Sequence, residues 1–341
     1  MSRDQWTEPG IEDLGGGIFR VPLPLPNDGL RAVNVYVLTG SDGLLLIDGG
    51  WALTESADRL ERALAEIGCQ LAEIRRFLVT HLHRDHYTQA VALRRRFGAT
   101  VSLGAGERPN LDRIQDWLTG RQPAEDFAQL RRAGAKPLLD LLNARQGEDV
   151  HDRDNWQPPD EWLADRAEVR AGERRLTVIA TPGHTRGHVV FHDAAAGQLF
   201  AGDHVLPHIT PSIGFEPVRT AFPLRDYLDS LRLMFQLPDA RLLPAHGPVT
   251  TSVHQRVAEL LTHHEDRLAA SAEAVLAGAA TGYEVARSLG WTRRRRAFDD
   301  LDPFNQLLAV SETAAHLDVL VLQGRLSSAT DPDGIEIYQQ T

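Results

Sequence analysis

The sequence predicts an α/β layered fold, and three observations carry that prediction. Short apolar, β-branched runs alternate with amphipathic stretches through the first hundred or so residues. Strand-like runs then resume at 176–180, 188–192 and 199–201, after a long polar segment. Beyond residue 250 the pattern changes to alanine-rich helical periodicity.

The elements follow in chain order. The runs 31–38 (RAVNVYVL) and 43–47 (GLLLI) read as buried strands, the second ending at Asp48-Gly49-Gly50. Residues 54–67 repeat Leu60, Leu64 and Ile67 at helical spacing and stop at Gly68. The run 74–79 is a strand that leads directly into His81, with a helix over 89–97 and a strand over 100–103 after it. The segment 107–162 is polar and carries Trp117, Trp156 and Trp162. A structureless loop of that length would be unusual in a compact domain, so it reads as a mostly helical insertion, with one helix around 130–142. Helical patterns over 254–276, 281–289 and 311–323 precede a hairpin over 324–337, built on the turn signal Asp331-Pro-Asp-Gly334. Three helices and a hairpin read as a winged-helix module. The expected division is therefore 1–253, with 107–162 inserted as a cap, and 254–341.

Composition removes several function classes. The chain has 341 residues, 36 basic against 47 acidic, for a net charge of −11. That balance argues against broad sequence-independent binding to nucleic acid. Cys69 stands alone, which excludes an internal disulfide and a multi-cysteine zinc site. The N-terminus lacks the apolar run of a signal peptide, and no stretch approaches the roughly 20 apolar residues of a membrane span. A cytoplasmic protein with no membrane partner is the expectation. Histidine stands out at 14 residues.

Those histidines are gathered rather than scattered. Thr80-His81-Leu82-His83-Arg84-Asp85-His86 puts three imidazoles and a carboxylate within six residues, just after a strand. Side chains that alternate at a strand end let His81 and His83 point one way, while Asp85 and His86 turn toward a neighbouring point. Neutral imidazoles with a carboxylate suit zinc, and also iron or manganese. Later strand-like runs end at Pro182-Gly183-His184, at Gly202-Asp203 and at Ala245-His246-Gly247. Glycine beside such a residue lets the backbone come close to an ion.

In this order the set resembles the metallo-β-lactamase superfamily of metallohydrolases, over roughly residues 15–250. The resemblance implies a four-layer αββα sandwich with a metal site at one edge of two sheets. It implies two divalent ions, zinc first. His81, His83 and His184 would hold one ion, Asp85, His86 and His246 the other, and Asp203 would bridge them. Asp48 would stand behind a histidine and orient it. Two ions roughly 3.5–4 Å apart share a hydroxide formed by lowering the pKa of water toward about 7, and that hydroxide attacks the substrate. Asp85 would additionally take a proton.

The family spans many substrates, so the fold alone does not choose one. An acidic bridge at Asp203 is glyoxalase II-like and lactonase-like, which makes a β-lactam an unfavoured native substrate. A small thioester or lactone is expected first. The tail from His254 resembles that of the lactamase-β-2-like branch, at His263-x-x-x-Arg267 and at 311–325. That raises single-stranded RNA cleavage as the alternative, with Arg293–Arg296 as the basic patch; a metal-linked DNA-binding regulator is less favoured. The net charge favours arginines that form a solvated turn or pair with Asp299, Asp300 and Asp302. A tail that packs on the catalytic part or makes a homo-oligomer contact fits better than a nucleic-acid partner. Candidate substrate-facing residues are Tyr87, His204, His208, Trp117 and Trp156, with Phe127 and Trp162 as further aromatics of the insertion.

Overall fold

The structure is a computed structural model that describes residues 5–26, 29–121, 128–143, 153–292 and 294–341. Its first sheet runs, in spatial order, through β1 (Glu12–Gly15), β2 (Ile18–Pro24), β3 (Ala32–Gly40), β4 (Gly43–Ile47), β5 (Ile74–Val79), β6 (Thr100–Gly104) and β7 (Glu161–Leu163). The pairs up to β3–β4 are antiparallel, and β4–β5–β6–β7 are parallel. The second sheet has the order β12 (Arg241–Pro244), β11 (Gln198–Gly202), β10 (Val189–Asp193), β9 (Arg174–Ala180) and β8 (Glu168–Ala171). Only β11–β12 is parallel there. A hairpin of β13 (Leu326–Thr330) and β14 (Glu336–Gln340) closes the chain.

Both faces of the central strands are buried, which explains their continuous apolar runs. In β3, Val33, Val35 and Val37 face one way and Tyr36 and Leu38 the other, by the two-residue period of a strand. Tyr36, Leu38, Leu45, Ile47 and Leu78 meet Val178, Phe191, Phe200 and Leu243 of the second sheet, forming the core between the sheets. The opposite face of the first sheet lies under α1 (Thr54–Glu66), α2 (Arg84–Phe97) and α3 (Arg108–Leu118). The outer face of the second sheet lies under α6 (Pro223–Met234), α7 (Val253–Leu276) and α9 (Pro303–Leu322). The order of layers is therefore helices, sheet, sheet, helices, as expected for the metallo-β-lactamase fold.

The remaining helices join that second outer layer. Within the insertion, α4 (Ala128–Arg132), the turn after it and α5 (Lys136–Asn143) contribute Leu130, Ala133 and Leu138 to the same core as α8 (Gly282–Ser288) and α9. The insertion is not wholly helical, because its last strand, β7, extends the first sheet.

Several boundaries differ from the sequence expectation, each for a physical reason. Two strands, β1 and β2, precede the first expected one, and β2 carries Pro22 and Pro24. Its partner β1 reaches only residues 18–20, so both prolines lie where no neighbour on that side needs their missing N–H. Helix α2 begins at Arg84 rather than 89, with Asp85 in its first turn, where a carboxylate meets the positive end of the helix dipole. Helix α9 begins at Pro303 rather than 311. Asp302 caps it by accepting from the N–H groups of Phe304 and Asn305, and proline fits its first position. Arg293 lies outside the described residues. The arginines after it are exposed, and only part of the expected pairing is seen: Arg296 donates to the Asp300 carbonyl, whereas Asp299 pairs with Arg287 and Asp302 serves as the cap. Among the described residues no helix is long and apolar enough to cross a membrane.

Candidate metal centre

Five strands, co-directional within each sheet, end where the candidate residues gather. They are β4, β5, β9, β11 and β12, and each is followed within a few residues by one of the expected side chains. The sequence thus spreads these residues from Asp48 to His246, and the packing of the two sheets brings them back together.

Their donor atoms form two groups. One atom each from His81, His83, His184 and Asp203 lie within 4.8 Å of one another, and so do one each from Asp85, His86 and His246. Asp203 faces both groups. Its Oδ2 is 3.4 Å from His184 Nε2, while its Oδ1 is 3.4 Å from His246 Nε2 and 3.7 Å from His86 Nε2. Asp85 Oδ2 lies 3.5 Å from both His86 Nε2 and His246 Nε2.

The outward ring nitrogens are held from behind. His86 Nδ1 donates to Asp48 Oδ2 at 2.9 Å, His184 Nδ1 to the Ser212 carbonyl at 2.7 Å, and His246 Nδ1 to the Ala32 carbonyl at 2.8 Å. Asp48 reaches a second imidazole through Thr80. The Thr80 hydroxyl donates to Asp48 Oδ1 and stands 3.1 Å from His81 Nδ1. Asp48 itself has a left-handed φ of 62°, which for a non-glycine residue is a strained conformation found at functional positions. The loop after β12 is stitched across to β3: Asn34 Nδ2 donates to the carbonyls of Pro244 and Gly247, and the Tyr36 hydroxyl donates to Pro244 O.

His83 Nδ1 lies 2.9 Å from His81 Nε2 and 3.0 Å from His184 Nε2, but three other inward atoms are left without partners. His86 Nε2, His246 Nε2 and Asp203 Oδ1 are buried with no hydrogen bond among the described residues. Buried polar atoms are rarely abandoned in this way. Convergent imidazole nitrogens and carboxylate oxygens are a donor set that fits a divalent cation.

The two groups differ in charge. Burial lowers His81, His83 and His184, with neighbouring imidazoles adding to the effect at His81 and His83; His83 falls to about 3 and His184 to about 4. Burial opposes protonation of His86 as well, yet Asp85, Asp48 and Asp203 raise it to about 10. Asp203 and Asp85 likewise raise His246 against burial. Burial would raise Asp85, but His86 and His246 beside it hold its carboxyl well below the usual range.

The candidate substrate-facing residues do not all gather here. Tyr87 is fully buried, and its hydroxyl donates to the Gln157 carbonyl at 2.6 Å, which ties α2 to the end of the insertion. Trp156 packs on the first sheet's helical side, its ring 6.4 Å from that of Tyr87, and Trp162 packs there too. Trp117 is half-buried near the end of α3, under the Arg113 guanidinium. His204 is buried between the rings of His188 and Tyr227. His208 is half-buried, with Nδ1 3.1 Å from the Pro207 carbonyl. Phe127 lies outside the described residues.

Several residues near the centre escape a sequence reading. Thr80 and Ser212 act through the contacts above. Glu107 is buried and accepts from the Thr185 hydroxyl, from Asn110 Nδ2 at 2.8 Å and, at 3.4 Å, from the N–H of Leu82. It thus joins the His81–His83 loop to the His184 loop, and burial pushes its carboxyl up to about 7. Its only sequence signal is an acidic residue a few positions after an apolar strand.

Comparison with known proteins agrees with this geometry. The profile of the Metallo-beta-lactamase superfamily matches residues 28–246. A Bacillus subtilis (strain 168) protein named probable metallo-hydrolase is 25% identical, over 95% of this chain and 97% of its own. An acyl-coenzyme A thioesterase of Gallus gallus is 27% identical, over 72% of this chain and 82% of its own. The crystal structure of a metallo-beta-lactamase family protein from Thermus thermophilus superposes with a TM-score of 0.74 at 28% identity, covering 96% of this chain and all (100%) of that one.

Proposed function

Because the chain belongs to the metallo-beta-lactamase superfamily and is a metal-dependent hydrolase, we propose that it uses two divalent ions to hydrolyse a small ester-like substrate, a thioester or lactone first. Zinc is the favoured ion, with iron or manganese as alternatives. The observation that carries the two-ion reading is Asp203, whose two carboxylate oxygens address different donor groups. In this reading His81, His83 and His184 would hold one ion and Asp85, His86 and His246 the other, with Asp203 available to each. Ions bound there supply Lewis acidity at the attacked carbonyl and lower the pKa of water toward about 7.

The protein's own residues set up that chemistry. Asp48 keeps His86 oriented directly and His81 through Thr80, while the Ser212 and Ala32 carbonyls fix His184 and His246. Asp85 is held ionised at neutral pH by His86 and His246, which outweigh the effect of burial, as a ligand requires; in this reading it additionally takes a proton. The thioesterase among the relatives supports the thioester choice. Residues 254–341 are read as a winged-helix-like unit that packs against the catalytic part.

The test uses chelated protein reloaded with zinc or manganese, offered a short-chain acyl thioester, a simple lactone and a single-stranded oligoribonucleotide. Metal-dependent turnover of the thioester or lactone is expected. Cleavage of the oligonucleotide with no turnover of either small substrate overturns the assignment.

A further inference from the structure

His188 belongs to neither donor group, yet it packs against His81 and holds the backbone of Asp203. It is fully buried, just before β10. Its Nε2 accepts the backbone N–H of Asp203 at 3.1 Å. A ring nitrogen that accepts is unprotonated, so the ring proton of the neutral imidazole sits on Nδ1. Nδ1 lies 2.8 Å from Thr181 Oγ1 and donates to it. The ring also stacks on His81, with centroids 5.0 Å apart and planes 29° apart.

The backbone is shaped to admit this contact. Gly202, immediately before Asp203, has a φ of +50°, and a Cβ there would stand 2.7 Å from His188 Nε2 and 2.7 Å from Thr80 Cβ. Only glycine lets the ring come close enough to take the N–H of the next residue. The His188 segment is fixed in turn, since its carbonyl accepts from Thr181 N at 2.9 Å and Val189 N donates to Thr80 O at 2.8 Å.

We propose that His188 is a positioning residue that aims the Asp203 carboxylate at both donor groups, with Thr181 fixing its tautomer. The proposal rests on the two-ion reading above. It predicts that the hydrogen-bond acceptor at Nε2 matters more than the ring as packing.

Three variants separate those roles. H188Q keeps an acceptor oxygen at the distance of Nε2 and loses the ring. H188F keeps the ring volume and loses the acceptor. T181V keeps shape and removes the partner of Nδ1. The measurements are zinc bound per chain, zinc affinity by chelator competition, and thermal unfolding of the zinc-free protein. H188F is expected to weaken at least one of two zinc ions by roughly 10–100-fold, the usual cost of removing an outer partner of a metal ligand. H188Q should retain most of the affinity, and T181V should fall between them. Wild-type affinity in H188F overturns the proposal, as do equal losses in H188Q and H188F at equal thermal stability. If H188F does not fold, T181V weakened with H188Q near wild type supports the proposal, and the reverse order overturns it. A wild-type protein that takes up no zinc, or one ion only, overturns the two-ion reading and this proposal with it. Two ions in wild type and two equally tight in a folded H188F remove His188 alone.

Discussion

Two buried histidine clusters share this molecule, and only one has the makings of an active site. Between α7 and α9, the rings of His264 and His316 stack 5.3 Å apart at 24°, with the Tyr227 ring 5.4 Å from His264. His316 Nδ1 donates to the Glu312 carbonyl at 2.8 Å, and His264 Nδ1 lies 3.1 Å from His316 Nε2. Burial lowers both, His316 to about 3. The His263 ring also lies 5.3 Å from that of His264, yet among the described residues no three donor atoms come together here as they do at the sandwich edge. At the sandwich edge, by contrast, Asp48, Asp85 and Asp203 stand among the imidazoles, and His86 Nε2, His246 Nε2 and Asp203 Oδ1 are unpartnered together, where the tail cluster leaves His264 Nε2 so. Buried imidazole by itself is a neutral packing unit. Carboxylates turned inward beside it make a place for a cation.

The largest effect that would break this contrast is at His83. H83A is expected to cut hydrolysis by about a thousandfold or more, since a catalytic ion supplies several kcal/mol and each tenfold is worth about 1.4 kcal/mol. Far-UV circular dichroism should stay unchanged. H316F should hydrolyse at close to the wild-type rate, and equal losses in the two variants would erase the distinction. Next comes Asp48: D48N should lower zinc affinity by roughly 10–100-fold in chelator competition, with the tail cluster untouched.

A third prediction concerns acid. An unfolded chain protonates His316 below its ordinary value of 6.5, whereas native His316 resists down to about 3. The unfolded state therefore binds more protons across that window, and stability falls as the pH drops through it. Between pH 6.5 and 5 the loss from this residue is at most about 2 kcal/mol. Urea unfolding at those two pH values should show a shallower loss in H316F than in wild type. The smallest effect is at Ser252, whose hydroxyl caps α7 by accepting from Gln255 N. S252A should cost about 1 kcal/mol of stability. If it also weakened zinc binding, the tail helices and the metal centre would not be separable.

The candidate ligand set, which the structure brings into two donor groups, was legible because its chemistry is concentrated: His81, His83, Asp85 and His86 are nearly contiguous, and His184, Asp203 and His246 each follow an apolar strand. Strands β3, β4 and β5 were legible because burial on both faces leaves unbroken apolar runs. The prolines of β2 hid it, since nothing local tells that β1 stops short of them. The start of α9 was signalled by Asp302-Pro303 but lies eight residues before the first strong apolar periodicity. Thr80, His188, Ser212 and Glu107 were silent for another reason. Their roles consist of hydrogen bonds to residues far along the chain, such as Glu107 to Thr185, and no local pattern encodes those. Tyr87 was misleading in the same way, because its partner is Gln157.

The stitch between β3 and the loop after β12 has a consequence in time. Asn34 and the Pro244 carbonyl it holds are separated by 210 positions. On a growing chain, the stretch from His81 to His86 exists long before the segment that completes the set. Closing so long a loop is entropically costly and comes late. The nascent protein would therefore offer a partial chelator from residue 86 until at least residue 246, and a complete one only once its two sheets have docked. Full-strength retention of metal would then report that the two sheets have docked.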